Sequence, residues 1–504
     1  MTTTRTTQPA GAPASAGPRG EAPPARRGSP LPLWVSVVLL LAAGTGMFLP
    51  GSARETIGLC AVLFMLVLIF MKVPIGIALA VPAMAGLVAA SGPLALENVL
   101  LALPYERVAA WTLSVIPMFV LMGLLLWRSG ITTELYDAGK QWLGWLPGGL
   151  AVGTTAAGTG LSAISGSTAG TTYALARIGI PEMLKAGYHK RLAVGSVIVA
   201  GLPGQLIPPS ILLVLYAGIT ETPIGPQLLA GVVPGILIGA ICAGTLVSIS
   251  LVRPGLAGKD GGIGNADRAT TDWAGRWRTL LAVWPVPVLV VVVIGGMFSG
   301  AFTATEAGAA GALGALVLTI WKKWGDHPLR AIGQAAIGTI TAAGTIFFLL
   351  MGAEILTRLL SVTRVATLFT DWVLGAGLSA TGFLLLMLVV YIFLGTFLES
   401  MPLLLLTVPI LLPTLQALDI SLLWFGVFAV FMGELAAITP PVGILSFILA
   451  GIVKDPEVHQ GQRITLGDVF MAAIWFMPLC AAYAILLIFF PELATWLPSL
   501  GAAG

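Results

Sequence analysis

Apolar residues in this chain gather in long runs that are hydrophobic on every side, as at 283–296 and 382–394, with no period-two alternation. A helix that is apolar around its whole circumference belongs in lipid or in a protein core, and about 20 such residues cross a bilayer. The pattern predicts spans at 33–50, 57–72, 74–90, 110–127, 193–219, 227–251, 279–298, 303–321, 333–352, 421–451 and 468–490. Two further apolar regions, 147–183 and 381–417, are too long for one crossing and are interrupted at their middles, so they read as re-entrant helical hairpins. The predicted fold class is an all-α polytopic membrane protein. A transmembrane β-barrel would instead show short segments of alternating hydrophobicity.

Two of the apolar stretches are broken by Pro208-Pro209 and Pro440-Pro441. Proline has no N–H and clashes with the preceding turn, so such a pair leaves carbonyls without helical partners, and hydrocarbon cannot satisfy them. Each pair follows a cluster of small and hydroxyl residues: 43 positions separate Ser165 from Pro208, and 44 separate Thr396 from Pro440. Gly201 and Gly433 each stand seven residues before the first proline of their pair. The module therefore occurs twice. Five reversals of chain direction lie between the two breaks in the predicted threading, and an odd number makes the repeats inverted. Two hairpin tips and two broken helices then converge near the midplane, the architecture of secondary transporters.

Composition agrees: 57% of the residues are hydrophobic, 9% are charged, and the mean hydropathy is +0.98. The net charge of +3 is small, and the basic residues sit in loops, which speaks against nucleic-acid binding. Lys72, Arg128, Lys140, Arg253, Lys322 and Arg463 fall on one side of the predicted threading, and the positive-inside rule makes that side cytoplasmic. Arg54, Arg107, Arg358 and Arg364 fall on the other. The N-terminus is then cytoplasmic and the C-terminus periplasmic. Residues 1–30, rich in Pro, Ala, Gly and Thr, are expected as a disordered tail and 31–56 as an additional anchor and loop. The first repeat covers 57–275 with its broken helix at 193–219; the second covers 276–490 with its broken helix at 421–451; 491–504 is expected as a C-terminal tail. Cys60, Cys242 and Cys480 lie inside apolar segments, and His189, His327 and His459 lie in loops without metal-ligand spacing, so they suggest neither a metal centre nor an enzyme.

The candidate chemistry is at the interruptions. Ser165, Gly166, Ser167 and Thr168 form a hydroxyl cluster whose oxygens and close carbonyls suit a hard cation such as Na⁺; the competing reading is small-residue helix packing. Pro208, Pro209 and Ser210 form the matching break. In the second half Gly395, Thr396, Glu399 and Ser400 occupy the corresponding tip, and Thr439, Pro440, Pro441 and Gly443 the corresponding break. A carboxylate at membrane depth costs about 2.5–3.5 kcal/mol or more, so Glu399 and Glu434 each need a reason: a cation ligand, a proton site or a capping acceptor. For Glu399 capping and coordination are equally open, and Glu434 is the weaker candidate ligand. Glu306 reads as a helix-dipole partner in the first turn of its helix, and Arg177 as a snorkelling interface residue.

The run ISGSTAGTTYALARIGIPEMLKAGYHKRLAVGSVIVAGLPGQLIPPSILLVLYAGI at 164–219 resembles the first hairpin and broken helix of the large membrane subunit of tripartite ATP-independent periplasmic (TRAP) transporters. FTATEAGAAGA at 302–312, GTFLESMPLLLLTVPILLP at 395–413 and ITPPVGILSFILAGI at 438–452 resemble that family's later signatures, in order. The resemblance implies an elevator-type carrier with Na⁺ as coupling ion and no other cofactor. It also implies a periplasmic substrate-binding protein and a small membrane subunit of about four helices as partners, and organic acids as substrates. By motif position it assigns Ser165, Ser167, Gly201 and Gly204 to one Na⁺ site and Thr396, Gly433 and Thr439 to its inverted counterpart. Thr168, Ser210 and neighbouring tip groups, including Pro208, Pro209 and Glu399, would face the substrate. Gln205 departs from the apolar residue usual at its position, and Ala304 from the usual proline. A single-component Na⁺/carboxylate symporter of the same plan is the nearest alternative. A membrane enzyme lacks a suitable His, Cys or Asp constellation, a scaffold gains nothing from paired helix breaks, and an ATP-driven pump lacks a phosphate loop.

Overall fold

The computed structural model describes residues 33–258 and 273–502, apart from 104, 106–108 and 442. The expected N-terminal tail lies outside the described residues. Among those residues all regular structure is helical.

Helix α1 (Leu33–Phe48) packs along α2 (Arg54–Phe70), and α3 (Ile75–Ser91) and α4 (Pro93–Leu103) follow. After α5 (Val115–Arg128) and α6 (Ile131–Leu143) come two helices joined by a short turn, α7 (Gly149–Ser165) and α8 (Thr168–Lys185). Then α9 (Lys190–Val199) and α10 (Ile211–Thr220) form the two halves of the helix broken at Pro208-Pro209, before the long α11 (Ile224–Val252).

The second half opens with α12 (Trp273–Val283) and α13 (Pro285–Phe298), bent by 43° at a junction where Pro285 and Pro287 withhold their N–H groups. It continues with α14 (Ala304–Lys322), α15 (Pro328–Thr363) and α16 (Val365–Gly375), then the pair α17 (Ala380–Gly395) and α18 (Ser400–Ala417). The halves α19 (Leu422–Ile438) and α20 (Ile444–Ile452), a single turn α21 (Pro456–His459), α22 (Leu466–Phe489) and α23 (Glu492–Ala502) complete the chain. Helix α23 packs on α11 and occupies the stretch expected as a C-terminal tail.

The duplication has a fixed register. Helices α8 and α18 both have 18 residues, and their first residues, Thr168 and Ser400, stand 232 positions apart, as do Gly201 and Gly433 and the prolines 208 and 440. Helices α6 and α16, α9 and α19, and α10 and α20 fall in the same order on the same offset.

Helices α2, α3, α5, α13, α14 and α15 pack on one another, while α7–α11 and α17–α22 form a second cluster, joined to the first where α5 meets α7 and α15 meets α18. Large apolar side chains such as Leu41, Leu281, Val291, Leu313 and Ile340 stand exposed on α1 and α12–α15, a surface that belongs in lipid. Among the described residues six helices are long and apolar enough to cross a membrane, or seven if the bent α12–α13 pair is one span. The centre of the second cluster is α19, buried from Trp424 to Ile438.

Helices α15 and α6 also depart from the hydropathy reading. The span expected at 333–352 belongs to the 36-residue α15, which continues past the apolar run through Glu354 and Arg358, an i,i+4 ion pair at 3.5 Å, while Thr357 and Thr363 donate their hydroxyls to carbonyls four residues back, at 2.9 and 2.7 Å. Helix α6 was not expected. It is amphipathic: Glu134 pairs with Lys322 on α14, while Lys140 (3.2 Å) and the Tyr136 hydroxyl (3.1 Å) both reach Glu182 on α8.

Candidate functional site

The first tip is a minimal turn. Helix α7 ends where Gly166 adopts a left-handed conformation (φ 62°) and its N–H bonds the Ser162 carbonyl at 2.9 Å, an αL cap that favours glycine. Ser167 then caps α8, its hydroxyl accepting from the Gly170 N–H at 3.1 Å. The Ser165 hydroxyl lies inside the turn, accepting from the Ser167 N–H at 3.3 Å and sharing a hydrogen bond with Thr171 at 3.4 Å. Serine and threonine oxygens and turn carbonyls are thus drawn into one small volume.

The second tip is built differently. Helix α17 ends at Gly395, the Thr396 hydroxyl donates to the Phe393 carbonyl at 2.8 Å, and α18 starts at Ser400 with Glu399 as its N-cap residue. The fixed register makes Glu399 the counterpart of Ser167 and places Thr396 opposite Ile164, so pairing Ser165 with Thr396 was one position out. The Glu399 side chain makes no capping bond and stands exposed, which leaves the capping reading of this carboxylate without support.

Each broken helix approaches its tip through glycine. A Cβ on Gly201 would lie 2.5 Å from the Thr168 methyl, and one on Gly433 would lie 3.1 Å from the Ser400 Cα and Cβ. Gly204 likewise leaves room for Ser162 and the Thr159 carbonyl, each 2.5 Å from where its Cβ would stand. Pro208 and Pro209 bring no N–H back to the carbonyls of Gly204 and Gln205, and Ser210 restarts the helix as the N-cap of α10, accepting from the Leu213 N–H at 3.2 Å. On α19 the Thr439 hydroxyl donates to the Leu435 carbonyl at 2.7 Å, beside the start of the second break.

Glu434 joins the two tips. Thr168 on α8 donates its hydroxyl to Oε2 at 2.6 Å, and Ser400 on α18 donates to Oε1 at 2.9 Å. The carboxylate is 3% exposed, and among the described residues it has no Lys, Arg or His partner. The equivalent position in the first repeat is Leu202. Sequence reading ranked Glu434 below Glu399, and the structure gives it the central position. The signal was present, an acid inside an otherwise apolar run, but its partner Thr168 lies 266 residues away.

The other candidates lie elsewhere. Arg177 pairs with Asp455 at 3.5 Å and covers the Tyr173 ring, away from both tips. Glu306 completes a capping box with Thr303 at the start of α14. His189 caps α9 by accepting from the Arg191 N–H at 3.2 Å; burial, then the charges of Arg191 and Lys190, hold it below its ordinary range and keep it the neutral acceptor that this bond requires. Among the described residues no group of three or more His, Cys, Asp or Glu could hold a metal ion. Gln205 donates to the Ser162 hydroxyl at 3.2 Å, while its own carbonyl oxygen is buried without a partner.

Residues 62–493 match the family described as "Tripartite ATP-independent periplasmic transporter, DctM component". The chain belongs to the TRAP large permease family. Among TRAP large permeases it is similar to the C4-dicarboxylate TRAP transporter large permease protein DctM of Pseudomonas aeruginosa, 30% identical over 396 residues that cover 78% of this chain and 88% of that one. The sialic acid TRAP transporter large permease protein SiaM of Vibrio cholerae is 30% identical over 391 residues, 77% of this chain and 87% of the relative. In fold the chain is similar to the crystal structure of the Alcanivorax borkumensis YdaH transporter, with a TM-score of 0.58, 13% identity, and coverage of 80% of this chain and 90% of that one. As a TRAP large permease with membrane-length apolar helices, the chain is a multi-pass inner-membrane protein of secondary transport.

Proposed function

We propose that this TRAP large permease moves an organic acid, a dicarboxylate or other carboxylate, across the inner membrane at the expense of a Na⁺ gradient. In this reading it works with a periplasmic substrate-binding protein and a small four-helix membrane subunit. The observation that carries it is the convergence of two hydroxyl-bearing helix starts and two glycine-lined broken helices on one buried carboxylate. The donors there are hydroxyls, carbonyls freed by proline and a carboxylate, an all-oxygen set that fits a hard cation. Ser165, Ser167, Gly201 and Gly204 would hold one Na⁺, and Thr396, Gly433 and Thr439 a second. Na⁺ would supply the positive charge that lets an anion enter the membrane interior. Thr168, Pro208, Pro209, Ser210 and Glu399 would line the substrate side.

Transport in this reading is an elevator movement of the cluster built on α7–α11 and α17–α22 against the helices around α5, α14 and α15. The two repeats are inverted in the membrane, with the N-terminus cytoplasmic and the C-terminus periplasmic.

The test is uptake of labelled organic acids into proteoliposomes holding this chain and its small subunit, with and without the binding protein, under an imposed Na⁺ gradient. Uptake that needs both the gradient and the binding protein is the expected result. Uptake by the chain alone would make it a single-component symporter, and indifference to Na⁺ would remove the coupling ion.

A further inference from the structure

A hydroxyl has one proton to donate and two lone pairs. Thr168 and Ser400 both give that proton to Glu434. What remains of each oxygen can only accept, so neither hydroxyl can donate to a substrate carboxylate while this bond stands. Each can still coordinate a cation. All three residues are buried, Thr168 at 7% exposure, Ser400 at 8% and Glu434 at 3%. The two hydroxyls occupy one carboxylate oxygen each. Behind them lie Gly201 and Gly433, pressed against Thr168 and Ser400 respectively, so each hydroxyl belongs to a different half of the duplicated site.

The asymmetry is the second observation. Leu202 occupies the position of Glu434 in the first repeat, so the duplicated geometry contains a single central acid. One carboxylate oxygen serves each tip. A cation on either hydroxyl would hold that hydroxyl, and through it the shared carboxylate, in place, so a cation arriving at the other tip would have less left to order.

We propose that Glu434 is a positioning residue shared by the two cation sites: it fixes Thr168 and Ser400 as acceptor-only oxygens and couples cation binding at one tip to binding at the other. This rests on the Na⁺-coupled reading above, and it moves Thr168 from the substrate to the cation.

The test uses the purified full-length chain and reads its thermal unfolding midpoint against Na⁺ concentration, with choline keeping ionic strength constant. The wild type is expected to show a sigmoidal, Na⁺-specific rise. Glu434→Gln keeps the shape but offers one acceptor oxygen and one donor amide, so one hydroxyl must reverse. Its half-saturating Na⁺ should rise about tenfold, within the range seen when outer-layer partners of metal ligands are removed. Its Hill coefficient should fall to 1, while the midpoint without Na⁺ stays near that of the wild type. Thr168→Ala should likewise lose cooperativity, and Thr168→Ser, which restores the hydroxyl, should recover it; this pair carries the test should the Glu434 variant fold poorly. Wild-type half-saturation and Hill coefficient in Glu434→Gln, or no difference between the alanine and serine variants at 168, overturns the proposal. A wild type with no Na⁺-specific rise overturns the coupling ion first and this proposal with it, an outcome visible before any variant is made.

Discussion

The two tips do the same geometrical job with different chemistry. At the first, Gly166 and a capping Ser167 close a tight turn, the broken helix behind it presents Leu202, and the polar groups are neutral hydroxyls. At the second, the turn is longer, the N-cap position holds an exposed and unbonded Glu399, and the broken helix presents Glu434. Placing charge in one repeat only lets a single carboxylate reach both helix starts, which two symmetric acids could not do without repelling each other in a medium of low dielectric constant. The duplicated backbone sets where groups can meet, and the departures from duplication decide what they do there.

The sharpest way to break that comparison is through the backbone contact the halves solve in opposite ways. In the second half Gly395 on α17 faces Ala436 on α19, and a Cβ on Gly395 would stand 1.8 Å from that of Ala436. In the first half the same two positions are Ala163 and Gly204, with the glycine on the other partner. Gly395→Ala alone should destabilise the protein by about 1–3 kcal/mol, the usual cost of overpacking, and reduce the yield of folded protein. Adding Ala436→Gly, which copies the first half, should restore most of it. Thermal unfolding of the single and double variants checks this, and a double variant no better than the single one would mean that the halves are not interchangeable at this contact.

A middling effect is expected at the hydroxyls. Ser165 lies inside the first turn with bonds to the Ser167 N–H and Thr171, whereas Thr396 is held by a carbonyl of its own helix, one position out of register. On the proposed Na⁺ coupling, Ser165→Ala should raise the half-saturating Na⁺ of uptake about tenfold and Thr396→Ala only severalfold, both with normal membrane insertion. Equal effects would place Thr396 nearer to the ion than its hydrogen bond suggests.

Much of this was legible in the residues. Prolines, glycines and apolar runs gave the two hairpin-like pairs, the two breaks and the duplication, because each acts through local backbone chemistry. The register was misread by one position because hydroxyl clusters slide along a turn of variable length, while Thr168 and Ser400, Gly201 and Gly433, and the two proline pairs keep one offset. Helices α6 and α16 escaped a search for membrane-length apolar runs because they are short, and α15 outran its expected end because the charges that close its apolar run, Glu354 and Arg358, pair along the helix itself. The bond from Thr168 to Glu434 was out of reach in principle: no local rule links residues so far apart, and only the packing of α8 and α18 around α19 brings them together.

The smallest effect separates the two helix starts themselves. Ser167 caps α8 through a 3.1 Å bond to the Gly170 N–H, and removing such a cap costs about 1 kcal/mol. Glu399 holds the same position before α18 without a capping bond, so its contribution there comes only from its charge near the helix N-terminus, about 0.3–1 kcal/mol and less when exposed and screened by salt. Hydrogen exchange of the first-turn amides should therefore speed up about fivefold at α8 in Ser167→Ala, as a loss of about 1 kcal/mol predicts, and by less than twofold at α18 in Glu399→Ala. Raising the ionic strength should shrink the second difference and leave the first, because a short hydrogen bond is not screened as a dipole interaction is. A salt-insensitive slowing or quickening at α18 would mean that Glu399 bonds the helix start after all, and the contrast between a capped neutral tip and an uncapped charged one would fall.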